Sequence, residues 1–277
     1  MPAPSKKQAR SRPTGKKASA SKKKKAASKK KSAAKKAARK RSSTAPVAAR
    51  IPSHQKVAPL RPVNEATAAF AGEIHDRLLK LFGKPRMPLD YTQPHEMAIA
   101  VILSAQCTDE RVNEVTPALF ATFPTPKDYY SAPIEQIEEL IYSTGFYKNK
   151  AKSIREFCRL LDERHGGTIP DNIPELIKLP GIGRKTANVV LNHLYDKATG
   201  IVVDTHVLRL ARLLGLTKYA DAVKVERELM ERIPERYWLD WSLLLVFLGR
   251  KNCTARKPVC VGCVLFDLCP SRDPDAA

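Results

Sequence analysis

The sequence predicts an all-α protein, and three features carry that prediction. Apolar residues recur at three- and four-residue spacing through ten segments after residue 64. Breaks rich in Pro and Gly, such as "FPTP", "GGTIP" and "GLTKY", separate these segments. No stretch shows the strict alternation of a half-buried strand. The short apolar run "GIVVDT" (200–205) has strand length, but it reads as an extended lead into a helix.

The helical segments are 65–82, 94–105, 109–122, 133–143, 148–165, 172–179, 184–195, 204–215, 221–232 and 237–249. "HEMAIAVILSAQ" and "WSLLLVFLG" are apolar almost all round, which puts them at the centre of the core. The helix "DERVNEVTPALF" is expected to take Asp109 as its N-cap. "PELIKL" (174–179) is a short helix that Pro180 stops, because a residue before proline disfavours helical geometry. Gly181 and Gly183 then permit a tight turn with positive φ, and a second helix starts near Arg184. The pattern is helix–hairpin–helix. Bare glycine N–H groups at a helix N-terminus make an anion site, and a DNA phosphate is its natural occupant beside so basic a chain. A plain αα-turn is the alternative.

Charge divides the chain. Residues 1–50 hold 19 of the 49 Lys and Arg and no Asp or Glu, leaving 30 basic against 28 acidic residues in the rest. A segment of Lys, Ala and Ser cannot bury enough surface to offset its ordering entropy, so residues 1–64 are expected to be a disordered basic tail and linker. Acid-free lysine clusters bind phosphate backbones without reading sequence, so the tail is expected on DNA. A solubility tail or a targeting peptide is the alternative, although a transit peptide would be rich in Arg rather than Lys. No apolar run approaches a membrane span, and the tail has no secretory h-region.

Of six cysteines, Cys253, Cys260, Cys263 and Cys269 form C-x6-C-x2-C-x5-C. Four thiolates so close can hold zinc or an iron–sulfur cluster. Cys107 and Cys158 stand in apolar helical context and read as small buried residues.

The stretches "LPGIGRKTANVVLN", "VVDTHVLRL" and "LSAQCTDERVN", in that setting, resemble the endonuclease III family of DNA glycosylases, within the helix–hairpin–helix glycosylases. The match is colinear from about residue 65 to 272. The resemblance implies that Lys185 is the attacking amine and Asp204 its partner. Taken alone, Lys185 would pass for a surface lysine and Asp204 for a helix N-cap. The chemistry agrees with the resemblance. A lysine attacks a sugar carbon only as the free amine, and a helix N-terminus weakens an ammonium's hold on its proton. Desolvation under bound DNA must supply the rest. A carboxylate works against this, so Asp204 is expected to accept a proton or stabilise cationic sugar rather than activate the amine.

The resemblance also implies a [4Fe–4S] cluster on the cysteine quartet. Arg256 and Lys257 in "TARKPV" would present charge to the DNA backbone, with a solvated charge run as the alternative. Gln106 would fill the space left by a flipped nucleotide, or else cap a helix end. Phe146 stands where the family's second wedge is usually leucine. An aromatic ring can also wedge or stack, but the preference for the opposite base is left open. His206 is expected in the pocket wall or the core. With Lys185, Arg184, Gly181 and Gly183 complete the expected DNA-facing hairpin.

The implied fold is two helical domains flanking a DNA cleft. Residues 87–197 would form a six-helix barrel with the helix–hairpin–helix, and 65–86 with 198–272 the cluster domain. The implied activity is a bifunctional glycosylase and abasic-site lyase that removes oxidised pyrimidines from double-stranded DNA and cleaves the abasic site by Schiff-base β-elimination. A monofunctional glycosylase or a non-catalytic DNA-binding protein are the alternatives. A monomer is expected, without membrane attachment. It would lie in the cytoplasm of a bacterium with the nucleoid, or, as the alternative, in a nucleus.

Overall fold

The computed structural model describes residue 51 and residues 57–275. Of the expected disordered tail and linker, residues 1–64, residues 1–50 and 52–56 lie outside the described residues, whereas 57–64 run along the body: Ala58 is buried and the Arg61 N–H donates to the Gly215 carbonyl at 2.8 Å. Among the described residues, regular structure is helical throughout, with no strand. In chain order the helices are α1 (Glu65–Phe82), α2 (Pro94–Leu103), α3 (Asp109–Thr122), α4 (Pro126–Ser131), α5 (Ile134–Ile141), α6 (Tyr147–His165), α7 (Ile173–Leu176), α8 (Arg184–Tyr195), α9 (Thr205–Leu213), α10 (Ala222–Arg232) and α11 (Trp238–Lys251). Short 3-10 turns at Tyr142–Thr144 and Glu235–Tyr237 follow α5 and precede α11. Residues 201–204 carry no regular structure and lead into α9, with Asp204 extended at its start.

The buried apolar side chains form two clusters. One runs contiguously from Leu89 to Leu191 and gathers α2 to α8. The other joins Ala71, Ile74 and Leu78 of α1 to side chains from Ile201 to Leu265. The two all-round apolar helices organise them. Eight of the ten residues of α2 are buried, and α2 packs on α3, α6 and α8. In the second cluster α11 packs on α1 and α9, with Trp241, Leu244 and Leu245 essentially inaccessible. A helix apolar on every side has nowhere else to go.

Three local readings are corrected. "FPTP" is not only a break, because α4 starts at its second proline. Pro126 takes the first helical position, where its missing N–H costs nothing. Asp128 Oδ2 accepts from the Thr125 N–H at 2.8 Å and its hydroxyl at 2.6 Å, closing a capping box. The N-cap of α3 is Thr108, whose hydroxyl oxygen accepts from the Arg111 N–H, and Asp109 is the first helical residue. Cys158 is fully buried, but Cys107 is only half-buried.

Candidate active site

The hairpin is built on one glycine. Gly181 has φ 81°, a conformation that favours glycine, and a Cβ there would stand 3.1 Å from both Cδ1 and Cγ1 of Ile102, which would have to give way by a few tenths of an ångström. Ile182, next in the turn, is 4% exposed and plugs the first cluster. Gly183 has φ −88°, which any residue adopts, so the expectation of positive φ at both glycines holds for Gly181 alone. Gly183 is the N-cap of α8 and supplies no side-chain bond. The first-turn N–H groups of α8 are therefore left for an outside acceptor.

Lys185 lies in that first turn, exposed, and lines a cavity of about 140 Å³ together with Asp204. The wall draws on both clusters, with Leu89 and Val101 from the first and Val246 from the second. Asp204 is the N-cap of α9, and its Oδ1 accepts from the His206 and Val207 N–H groups, each at 2.8 Å. The cap thus occupies one carboxylate oxygen of a residue that also faces the cavity. At the rim Arg250 donates to Asp109 at 2.9 Å, joining the end of α11 to the start of α3.

Two histidines complete the surroundings. His193 lines the cavity two turns after Lys185 on the same face of α8. Burial holds its imidazole below the usual range, with Asp196 and Asp240 opposing. His206 is also held down, first by burial, with the charges of Arg209, Arg250 and Lys185 acting the same way and Asp204 opposing. Sequence reasoning passed over His193. The i, i+4, i+8 row through Lys185, Val189 and His193 was the signal that marks it.

Behind Lys185 a partly buried network fixes the start of α8. Arg184 donates to Glu226 from Nε at 2.9 Å and Nη2 at 3.1 Å. The Asn188 amide donates to the same carboxylate at 2.9 Å, and the Thr199 hydroxyl donates to Asn188 Oδ1 at 3.0 Å. A Cβ at Gly200 would collide with Glu226 Oε1. The guanidinium of Arg184 is thus engaged with α10. Gln106 and Phe146 are both exposed and lie outside the cavity wall, at the ends of the α2 and α5 regions. Arg256 and Lys257 are exposed on the Cys253–Cys260 loop, which a bond from the Thr254 hydroxyl to the Lys257 carbonyl at 2.6 Å ties together.

All four cysteines of the quartet line one further cavity, walled otherwise by residues such as Leu210, Leu248, Leu265 and Phe266. Burial pushes the Cys269 thiol up to about 11, against a backbone bond from Ser271 and with the neighbouring cysteines adding to the rise. Burial likewise raises Cys263. As neutral thiols these two sit in the apolar cavity without charge, and a metal centre would displace their protons on binding. Yet among the described residues no three Cys, His, Asp or Glu side chains are arranged to hold a single metal ion. Four cysteines facing one cavity are the donor set that zinc or an iron–sulfur cluster requires. The buried Arg209 braces it, donating to Cys253 Sγ at 3.4 Å and to the Cys253 carbonyl.

Residues 99–235 match the family model described as "HhH-GPD superfamily base excision DNA repair protein". Residues 253–269 match the iron–sulfur binding domain of endonuclease III. The chain is 49% identical to the endonuclease III of Synechocystis sp. over 201 residues, 73% of this chain and 92% of that protein. The solved structure of a non-covalent endonuclease III–DNA complex superposes with TM-score 0.67 at 42% identity, over 71% of this chain and 92% of that one. A trapped endonuclease III–DNA covalent intermediate gives TM-score 0.67 and 42% identity over 72% and 93%. The chain belongs to the endonuclease III family, and its cofactor is a [4Fe–4S] cluster. Among the described residues no helix is long and apolar enough to cross a membrane.

Proposed function

We propose that Lys185 and Asp204 perform the reaction of this family in this chain. As a family member the chain is a bifunctional DNA glycosylase and abasic-site lyase acting on damaged or abasic double-stranded DNA. The observation that carries the assignment is their meeting on one cavity wall, each at a helix N-terminus.

The free amine of Lys185 attacks C1′ of the flipped nucleotide. The C1′–N bond breaks, and the base leaves with the bonding electrons and takes up a proton. Asp204, with one oxygen fixed by its cap, stabilises the cationic sugar and accepts the proton released from the amine. Asp204 passes that proton to O4′ as the C1′–O4′ bond breaks, and ring opening gives a protonated Schiff base between Lys185 Nζ and C1′. Loss of a C2′ proton then breaks the C3′–O bond and expels the 3′ phosphate, and water releases the amine. The cavity lined by Lys185 and Asp204 is where the flipped base, an oxidised pyrimidine, would sit.

In this reading the two apolar clusters are two domains, 87–197 and 65–86 with 198–272, and the cavity opens from a DNA cleft between them. The first is the six-helix barrel. The hairpin N–H groups hold a phosphate, while Arg184 anchors the hairpin through Glu226. Gln106 and Phe146 enter the duplex when the base is flipped. Cys253, Cys260, Cys263 and Cys269 hold the cluster, which organises the loop carrying Arg256 and Lys257 toward backbone phosphates. Residues 1–50 add sequence-independent contacts. Lys185→Ala tests the assignment. Strand cleavage should vanish while DNA binding persists, and unchanged cleavage would refute the Schiff-base role.

A further inference from the structure

Lys150 is a buried cation, only 6% exposed, in a position where lysine is rarely found. Its Nζ donates to the Leu103 carbonyl at 2.8 Å and to the Thr144 carbonyl at 2.8 Å. Leu103 closes α2 and Thr144 closes the 3-10 turn after α5. Both carbonyls belong to helix ends whose last C=O groups have no partner inside the helix, and a cation suits that negative end. Burial lowers the pKa of the ammonium, with Cys107 opposing.

These two chain ends lead directly into Gln106 and Phe146. Three non-glycine residues of the described chain have positive φ, and two are Gln106 at 56° and Phe146 at 51°. Such backbone persists only where the surroundings impose it, and it concentrates at functional sites. The Phe146 carbonyl also accepts from the backbone N–H groups of Asn149 and Lys150, at 3.0 and 3.1 Å, so Lys150 grips its loop from main chain and side chain together. Both side chains project into solvent, with Phe146 64% exposed.

We propose that Lys150 is a positioning residue that ties the two loops into one unit, so that Gln106 and Phe146 enter the duplex together. The inference rests on the wedge roles given to those residues above. One ammonium shared by two carbonyls couples the loops, whereas separate caps would hold each alone.

The test compares cluster-loaded Lys150→Met with the wild type in three single-turnover assays. These are excision from duplex carrying one oxidised pyrimidine, cleavage of an abasic site in single-stranded DNA, and the fluorescence of 2-aminopurine opposite the lesion. Duplex excision and the fluorescence rise should slow by roughly 10–100-fold, the scale of a small misplacement remote from the chemistry. Single-strand cleavage, which needs no opening, should be unchanged. An equal loss on both substrates, or no loss on duplex, would overturn the proposal. Should Lys150→Met not accumulate in folded form, Lys150→Gln, too short to bridge both carbonyls, is read the same way. Phe146→Ala tests the underlying reading separately. If it opens duplex normally, the wedge fails and takes the role of Lys150 with it. If it is defective while Lys150→Met is normal, the Lys150 proposal alone falls.

Discussion

Asp204 is assigned two tasks, and two substitutions separate them. Its Oδ1 satisfies two otherwise unpaired N–H groups, those of His206 and Val207. Asp204→Ala removes that acceptor, and loss of such a cap costs about 1 kcal/mol, within a range of roughly 0.5–2. For a folded body of this size each kcal/mol lowers Tm by about 2–4 °C. Asp204→Asn keeps an oxygen in the Oδ1 position, and asparagine caps as well as aspartate, so Tm should move by less than about 1 °C. It removes the negative charge and the proton acceptor, however. Single-turnover excision at saturating enzyme should then fall by about 10²–10⁴, the usual worth of a general base. Thermal unfolding and single-turnover kinetics on the same preparations read both quantities. An Asn variant that keeps full activity, or one destabilised as much as the Ala variant, would refute the division of labour.

Other substitutions probe the frame around the site. Gly181→Ala forces a Cβ into left-handed backbone against Ile102. The backbone alone costs about 1–2 kcal/mol, so Tm should fall and DNA affinity weaken, and a neutral outcome would remove the hairpin argument. Glu226→Ala strips the buried Asn188 amide and Arg184 of their shared acceptor. Leaving one buried donor unmet costs about 1–3 kcal/mol, seen in urea unfolding, while Glu226→Gln should lose less because an oxygen remains for Asn188. The pH dependence follows from His95, His193 and His206, whose imidazoles burial holds below the usual range. The unfolded chain takes up those protons near pH 6.5 and the folded chain only below that. Their contribution is thus complete above about pH 6.5 and is lost as pH falls through the folded values. Tm at pH 5.5 should lie below Tm at pH 7.5, and His193→Asn should shrink the difference; an unchanged difference contradicts the assignment.

Helix positions were legible where local pattern decides them. The bounds of α1, α3 and α8 match the periodic segments residue for residue, because apolar stripe and breaker agree there, although the N-cap of α3 is Thr108 and not Asp109. α4 was missed because two prolines in "FPTP" outweighed the Thr125–Asp128 capping box, although Pro126 starts a helix readily. Gly183 was credited with a conformation that only Gly181 adopts, since a glycine pair does not say which member turns the chain. The partners that fix the site were not legible at all. Arg184 meets Glu226 across 42 positions, Arg250 meets Asp109 across 141, and Lys150 reaches Leu103 across 47. No local pattern encodes such pairs; they arise when packed helices bring distant side chains together. Lys185 and Asp204 stood out earlier because the motifs around them resemble a family, and the geometry adds that one cavity holds both.

The most direct test of the account is borohydride reduction during reaction with a duplex carrying one oxidised pyrimidine, followed by proteolysis and mass mapping of the adduct. The account predicts a covalent protein–DNA product, carried on the peptide containing Lys185 and absent from Lys185→Ala. An adduct on another residue, or none from cluster-loaded enzyme that still excises the base, would contradict it.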